Sequence, residues 1–163
     1  MAERRAGYRQ LFDVRAALIA SVIGAVAFWL TMMALDTRTL SSPWFTVHAA
    51  ASVLSGAEAL SNPNTFNGAT VAAGLGVYLG LGLLFGIVIS ALIHEFGLIV
   101  GIIGGGVLGF CTYVLLYYIA TNFGFAHDLA KFARWPLEVG HVVFGAVVGG
   151  VYESLERARY VRS

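Results

Sequence analysis

The sequence predicts an all-α membrane protein with four transmembrane helices, and two observations lead to this fold class. Hydrophobic residues make up 58% of the 163 residues and charged residues only 12%. Soluble domains are about one quarter charged. Between Gly68 and Ala120 the only acidic, basic or histidine side chains are the neighbours His94 and Glu95. Because a bilayer core about 30 Å thick needs roughly 20 apolar residues per helix, this block can form two spans that meet at a polar turn.

The four apolar segments use about half of the chain and leave no room for a separate soluble domain. We expect the turn between the second and third segments at residues 94–97. The fourth segment is the shortest, and Trp135 and Tyr152 are expected to anchor its ends at the two membrane interfaces. The predicted spans are residues 16–35, 69–93, 98–120 and 136–152.

The basic residues predict that both termini lie in the cytoplasm. Only Arg38, Lys131 and Arg134 lie in the two long connections, whereas the other basic residues flank the first and last spans. Basic residues concentrate on the cytoplasmic side of membrane proteins, so the termini are assigned to that side. We expect the first span to be retained rather than cleaved, because it is too long for the hydrophobic region of a signal peptide. The flanking residues are Arg4, Arg5, Arg9, Arg15, Arg157, Arg159 and Arg162.

The connection between the first two spans is predicted to contain a short helix at the outer membrane interface, over residues 43–60. Ser42 suits the N-cap and Pro43 the first helical position. Trp44 would lie at the level of the lipid headgroups. The helix is expected to end before the turn-forming sequence at residues 62–64.

Glycines recur every four residues in the last three spans, and we predict that they mediate helix packing. Residues four apart share one helix face, and without side chains the backbones can approach closely, as in a glycine zipper. Two interpretations remain open: packing within the bundle, or a groove for a partner subunit or a second copy. The glycines are Gly76, Gly80, Gly82, Gly86, Gly97, Gly101, Gly105, Gly109, Gly145 and Gly149.

Few polar side chains are candidates for chemistry. His94 and Glu95 are expected to form a polar hairpin tip, with a proton-transfer site as the alternative. Glu138 and His141 lie three residues apart and share a helix face. Together with His48 and His127 on the outer side, they are candidate ligands for copper or zinc, since imidazole suits both metals. The alternative is that Glu138 and His141 form hydrogen bonds that tie the outer connections to the bundle.

The sequence contains no recognisable catalytic group. We find no nucleophile paired with a base, no phosphate-binding loop and no paired carboxylates, and therefore expect no enzyme activity. The formal net charge of +1 gives no basic surface for nucleic acid. No cofactor is expected apart from the lipid bilayer itself.

The second half of the sequence resembles a family of small bacterial membrane proteins. A glycine-rich span ends in Ile93-His94-Glu95, and after a third span the chain continues with an aromatic–proline segment and Glu138-Val139-Gly140-His141. This order is similar to poorly characterised inner-membrane proteins of the YagU type, although one residue fewer separates the glutamate from the glycine. Similar short proteins are also labelled as sodium:proline symporters. The resemblance implies a location in the bacterial inner membrane and no defined activity.

The small size, the glycine faces and the lack of a catalytic site together favour a non-catalytic accessory subunit. Its partners would be larger subunits of a bacterial respiratory or energy-transducing membrane complex. Two alternatives remain: a homo-oligomeric small transporter or channel, and a metal-binding protein that uses its outer face.

Overall fold

The structure, a computed structural model, describes residues 8–122, 134–156 and 160–162. The described helices are α1 (Val14–Leu40), α2 (Phe45–Ser55), α3 (Gly68–Ile93), α4 (Leu98–Asn122) and α5 (Arg134–Leu155). A 3₁₀ segment, Gly56–Leu60, continues from α2. Two three-residue strands, β1 (Tyr8–Gln10) and β2 (Tyr160–Arg162), pair in antiparallel orientation and bring the two ends of the chain together. The predicted helical class is confirmed.

Within the described residues, three helices are long and apolar enough to cross a membrane: α1, α3 and α4. Large apolar side chains cover their outer surfaces, for example Leu84 on α3 and Ile103 on α4, which are 57% and 64% exposed. Such exposure is unfavourable in water and is expected next to lipid. The predicted spans 69–93 and 98–120 match α3 and α4 to within two residues.

Helix α1 continues five residues beyond the predicted end of the first span at residue 35. The helix continues through the polar residues that follow. The hydroxyls of Thr37 and Thr39 donate to the carbonyls four residues earlier, at 2.7 and 2.9 Å, and so have partners within the helix. At the other end, the Asp13 carboxylate accepts the N–H of Ala16 at 3.1 Å and caps α1.

The turn between α3 and α4 lies at residues 94–97, as predicted. Glu95 and Gly97 both have positive φ, at 78° and 84°. Glycine adopts this left-handed conformation without steric cost. Gly97 therefore belongs to the turn, and a side chain there would strain the backbone.

The helices α4, α5, α1 and α3 pack in that spatial order, each antiparallel to its neighbour, and α2 packs on α3. Helices α3 and α4 make few contacts with each other although they are consecutive in the chain. The core between α1, α3 and α5 is formed by large side chains that are at least 92% buried: Phe28, Met32, Ile89, Ile93, Phe144, Val148 and Tyr152.

Helix α2 is packed into the bundle more deeply than an interfacial helix requires. Five consecutive residues, 45–49, are buried, so its first turn is covered on every side. The N-terminus of α2 is capped by a residue of α1: Asp36, only 3% exposed, accepts the N–H of Thr46 at 2.8 Å. The predicted cap, Ser42, lies before the helix: its hydroxyl accepts the Trp44 N–H at 3.4 Å and donates to the carbonyl of Asn64 at 3.0 Å. Helix α2 thus begins at Phe45 and is held by α1.

Candidate functional site

The glycines of α4 and α5 form one continuous packing seam. A methyl group added at Gly105 would overlap the carbonyl oxygen of Gly145, and one at Gly109 would overlap the carbonyl of His141. Gly149 faces Gly101 in the same way. The two backbones are therefore in direct contact, which is how helices in lipid gain packing energy. The predicted ladder in the third span is used inside the bundle, with Gly97 in the turn.

The four glycines of α3 that were predicted to mediate packing divide into two groups. A methyl group at Gly82 or Gly86 would lie 2.7 Å from a side-chain carbon of α1, so these two positions face the core. At Gly76 and Gly80 an added methyl group would meet no atom within 4 Å. Both are exposed. Helix α3 therefore presents a strip of bare backbone on the outside of the described bundle.

A polar cluster joins the 94–97 turn to the start of α1 and the end of α5. The Tyr152 hydroxyl lies 3.0 Å from His94 Nδ1, donates to Glu156 at 3.1 Å and accepts the Asp13 N–H at 3.4 Å. His94 also contacts the Glu156 carboxylate directly. The ring of Phe12 stacks on Tyr152 with centroids 5.6 Å apart. The cluster links three elements at one end of the bundle.

Of the two residues predicted at the hairpin tip, only Glu95 is largely in contact with solvent. The Glu95 side chain is 48% exposed and the His94 side chain 14%, because His94 is turned toward Tyr152 and Glu156. The end of α5 approaches the same turn through Glu153, whose carboxylate accepts the Gly97 N–H at 3.0 Å. Burial, followed by the nearby charge of Glu156, raises the pKa of Glu153, which lies beyond the predicted fourth span.

A cavity of about 170 Å³ lies near the middle of α1, α3 and α4, where α3 and α4 separate. Helix α2 covers one part of it and α5 another. The walls are almost entirely apolar, and the polar side chains that line it are Thr46, Tyr78, Thr112 and His141. The aromatic ring of Phe28 contacts two of them edge-on, with centroids 5.2 Å from Tyr78 and 4.9 Å from His141.

The four polar groups of the cavity differ in their hydrogen bonding. Thr112 donates its hydroxyl to the Leu108 carbonyl at 3.0 Å. His141 Nδ1 lies 2.8 Å from the Leu137 carbonyl. Since a carbonyl only accepts, Nδ1 carries the proton, and the lone pair of the neutral ring is on Nε2. The Tyr78 hydroxyl is buried and has no hydrogen-bond partner among the described residues.

The four candidate metal ligands are not brought together by the part of the chain that the structure describes. His48 is 2% exposed, and neither of its ring nitrogens has a hydrogen-bond partner within the described residues. His141 lines the cavity, whereas Glu138 is half-buried and does not. His127 lies outside the described residues. Among the residues that were placed, no group of three or more histidine, cysteine, aspartate or glutamate side chains is arranged to hold a metal ion.

No family model matches the chain, and neither the curated proteins nor the solved structures contain a match. Sequence reasoning did not single out Asp36, Tyr78 or Glu156. It predicted Tyr152 only as an aromatic anchor at the membrane interface, whereas the structure buries this side chain completely. For Tyr78 a signal was present, because a lone tyrosine within a glycine-rich span places a hydroxyl in an apolar environment.

Proposed function

We propose that this protein is a non-catalytic accessory subunit of a larger membrane complex in the bacterial inner membrane. In this proposal α5 joins α1, α3 and α4 as the fourth span, and both termini are cytoplasmic. The distribution of basic residues and the pairing of β1 with β2 support a common side for the termini. The resemblance to inner-membrane proteins of the YagU type agrees with this location.

The observation that carries the proposal is the bare strip at Gly76 and Gly80 on α3. Of the ten glycines predicted to mediate packing, Gly82 and Gly86 pack against α1 and Gly97 lies in the turn. Five more are in contact between α4 and α5: Gly101, Gly105, Gly109, Gly145 and Gly149. The two remaining glycines are Gly76 and Gly80. In an exposed helix each glycine destabilises the helix by about 1 kcal/mol relative to alanine. Within the described chain, no packing contact at these two positions compensates for that cost. Close approach of a transmembrane helix from a partner subunit would compensate that loss.

The test is the native mass of the protein after extraction from its own membranes in a mild detergent. We expect it to migrate within a larger assembly of defined subunits. Gly80→Leu should release it, because the new side chain would fill the strip at a position where an added Cβ meets no atom of the bundle within 4 Å. Ala34→Leu, at an exposed small residue of α1, is the matched control and should leave the assembly intact.

Two outcomes would overturn the proposal. A stable monomer in native membranes would show that no partner is bound. An assembly made only of copies of this chain would favour the homo-oligomeric transporter or channel instead, with α3 as the subunit contact.

A further inference from the structure

We propose that the polar cluster at the 94–97 turn is a pH-dependent latch, which holds the end of α5 against the turn at acidic to neutral pH and releases it at alkaline pH. The inference is independent of the accessory role, because it concerns contacts within the chain and not the outer strip of α3. The charged groups of the latch are one histidine and three carboxylates: His94, Glu95, Glu153 and Glu156.

His94 faces an acceptor with each of its ring nitrogens. Nδ1 contacts the Glu156 carboxylate directly and lies 3.0 Å from the Tyr152 hydroxyl. That hydroxyl donates its single proton to Glu156 at 3.1 Å, so toward His94 it can only accept. On the other side of the ring, Nε2 lies 3.7 Å from a carboxylate oxygen of Glu95. A neutral imidazole has one proton and would point a lone pair at one of these carboxylates, so the charged imidazolium fits the site best.

The surroundings of His94 keep water away from its contact with Glu156. The Glu156 side chain is only 4% exposed. The ring of Phe12 meets the imidazole edge-on, with centroids 5.8 Å apart, and stacks on Tyr152. A carboxylate held away from water is destabilised when a positive charge beside it is removed. Loss of the His94 proton therefore weakens the contact between the turn and the end of α5.

Glu153 is a second group of the latch, and it responds to pH in the same direction. Its carboxylate accepts the Gly97 N–H at 3.0 Å, which is a second contact between α5 and the turn. Burial and the negative charge of Glu156 raise the pKa of Glu153, whereas the nearby charge of His94 lowers it. Once His94 and Glu153 have both lost their protons, three carboxylates lie together without the imidazolium. Their repulsion favours the open latch as the pH rises.

The latch lies where both ends of the described chain leave the bundle. The Tyr152 hydroxyl accepts the Asp13 N–H at 3.4 Å, and β1 precedes Asp13 while β2 follows Glu156. The glycine contacts between α4 and α5 are made by backbone atoms, which do not titrate. Opening of the latch should thus separate the paired chain ends from the turn and leave the glycine seam closed.

The test is nuclear magnetic resonance of the full-length chain in micelles, with isotope-labelled histidine and glycine. The spectra are recorded from about pH 5 to about pH 9, a range that includes the loss of charge by an ordinary histidine. The nitrogen shifts of the His94 ring distinguish imidazolium from neutral imidazole. The protection factor of the Gly97 amide, which corrects for the intrinsic pH dependence of hydrogen exchange, reports whether the latch is closed. We expect this factor to fall about tenfold as the His94 ring becomes neutral, the effect of losing one hydrogen bond to a charged group.

Two variants that each lose one carboxylate give a matched comparison. Glu156→Gln keeps an acceptor for the Tyr152 hydroxyl but removes the negative charge beside His94, and should reduce the pH dependence of Gly97 protection. Glu58→Gln makes the same change at an exposed residue of the 3₁₀ segment, at the opposite end of α3 from the turn. It should retain the pH dependence of the original protein.

Three results would overturn the proposal. These are a neutral His94 ring at a pH where Gly97 is fully protected, Gly97 protection that does not change over the whole pH range, or an equal pH dependence in Glu156→Gln and the original protein. The first two are measured on the original protein, so they decide the question even if Glu156→Gln does not fold. None of them bears on the native mass, so this inference and the accessory role can fail separately.

Discussion

Replacing single glycines by alanine should have opposite effects at Gly105 and Gly80. At Gly80 the added methyl group meets nothing within 4 Å, so the change should only improve helix propensity, by up to about 1 kcal/mol. At Gly105 the same methyl group would overlap the Gly145 carbonyl and lie 3.2 Å from the Gly149 Cα. Because both obstacles are backbone atoms, neither can rotate away.

The magnitude follows from the cost of forcing extra volume into a packed contact, about 1–3 kcal/mol. The helix-propensity gain applies to both variants and cancels when they are compared. We therefore expect Gly80→Ala to have the larger free energy of unfolding by about 1–3 kcal/mol, the overpacking cost at Gly105. The measurement is reversible unfolding in mixed micelles with increasing sodium dodecyl sulfate, followed by circular dichroism.

Gly145→Ala is the control from the other side of the seam. Its methyl group would overlap the Gly105 carbonyl, so it should lose as much stability as Gly105→Ala. If Gly105→Ala were as stable as Gly80→Ala, the close backbone contact between α4 and α5 would not exist, and the reasoning would be refuted.

Three further predictions concern the polar contacts. Asp36→Ala removes the carboxylate that caps α2 through the Thr46 N–H, and should lower the free energy of unfolding by about 0.5–2 kcal/mol in the same titration. Tyr152→Phe removes the hydroxyl that joins the turn to α1 and α5, and should speed amide hydrogen exchange at Gly97. Because the pKa of Glu153 is raised above 4.5, the folded state binds more protons than the unfolded state above that pH. Stability should therefore fall as the pH rises from 4.5 through the raised pKa, and Glu153→Gln should reduce this dependence while keeping an acceptor for the Gly97 N–H.

Each of these predictions has a result that contradicts it. Unchanged stability of Asp36→Ala would show that the cap contributes nothing. If amide hydrogen exchange at Gly97 were equally fast in Tyr152→Phe and in the original protein, the Tyr152 hydroxyl would not stabilise the turn. If the free energy of unfolding depended on pH equally steeply in Glu153→Gln and in the original protein, groups other than Glu153 would cause the pH dependence.

The membrane-spanning character and the bounds of α3 and α4 could be predicted from the sequence because both depend on local composition. A long uncharged run in which His94 and Glu95 are the only interruption specifies two helices and a turn. The apolar composition predicts the end of the first span at residue 35, but it does not predict that helix α1 continues to Leu40. In the structure, the threonine hydroxyls of this last part have partners within the helix.

The candidate sites depend on contacts between distant parts of the chain. Most of these contacts could not be predicted from the sequence. Asp36 caps a helix that begins nine residues later, and Tyr152 meets His94 across 58 positions. Periodicity showed which glycines share a face. It could not show that Gly105 faces another helix while Gly80 faces outward, because that depends on the spatial order of the helices.

The position of α5 has a consequence for biogenesis. Helices α1 and α4 both pack on α5, which is the last of the described helices to be synthesised. Until α5 has been synthesised, α4 has almost no native neighbour among the described helices, and its glycine face is uncovered. The native arrangement thus forms only after synthesis of α5, and a nascent chain that stalls before residue 134 would present an unpaired helix to the proteases that survey the membrane.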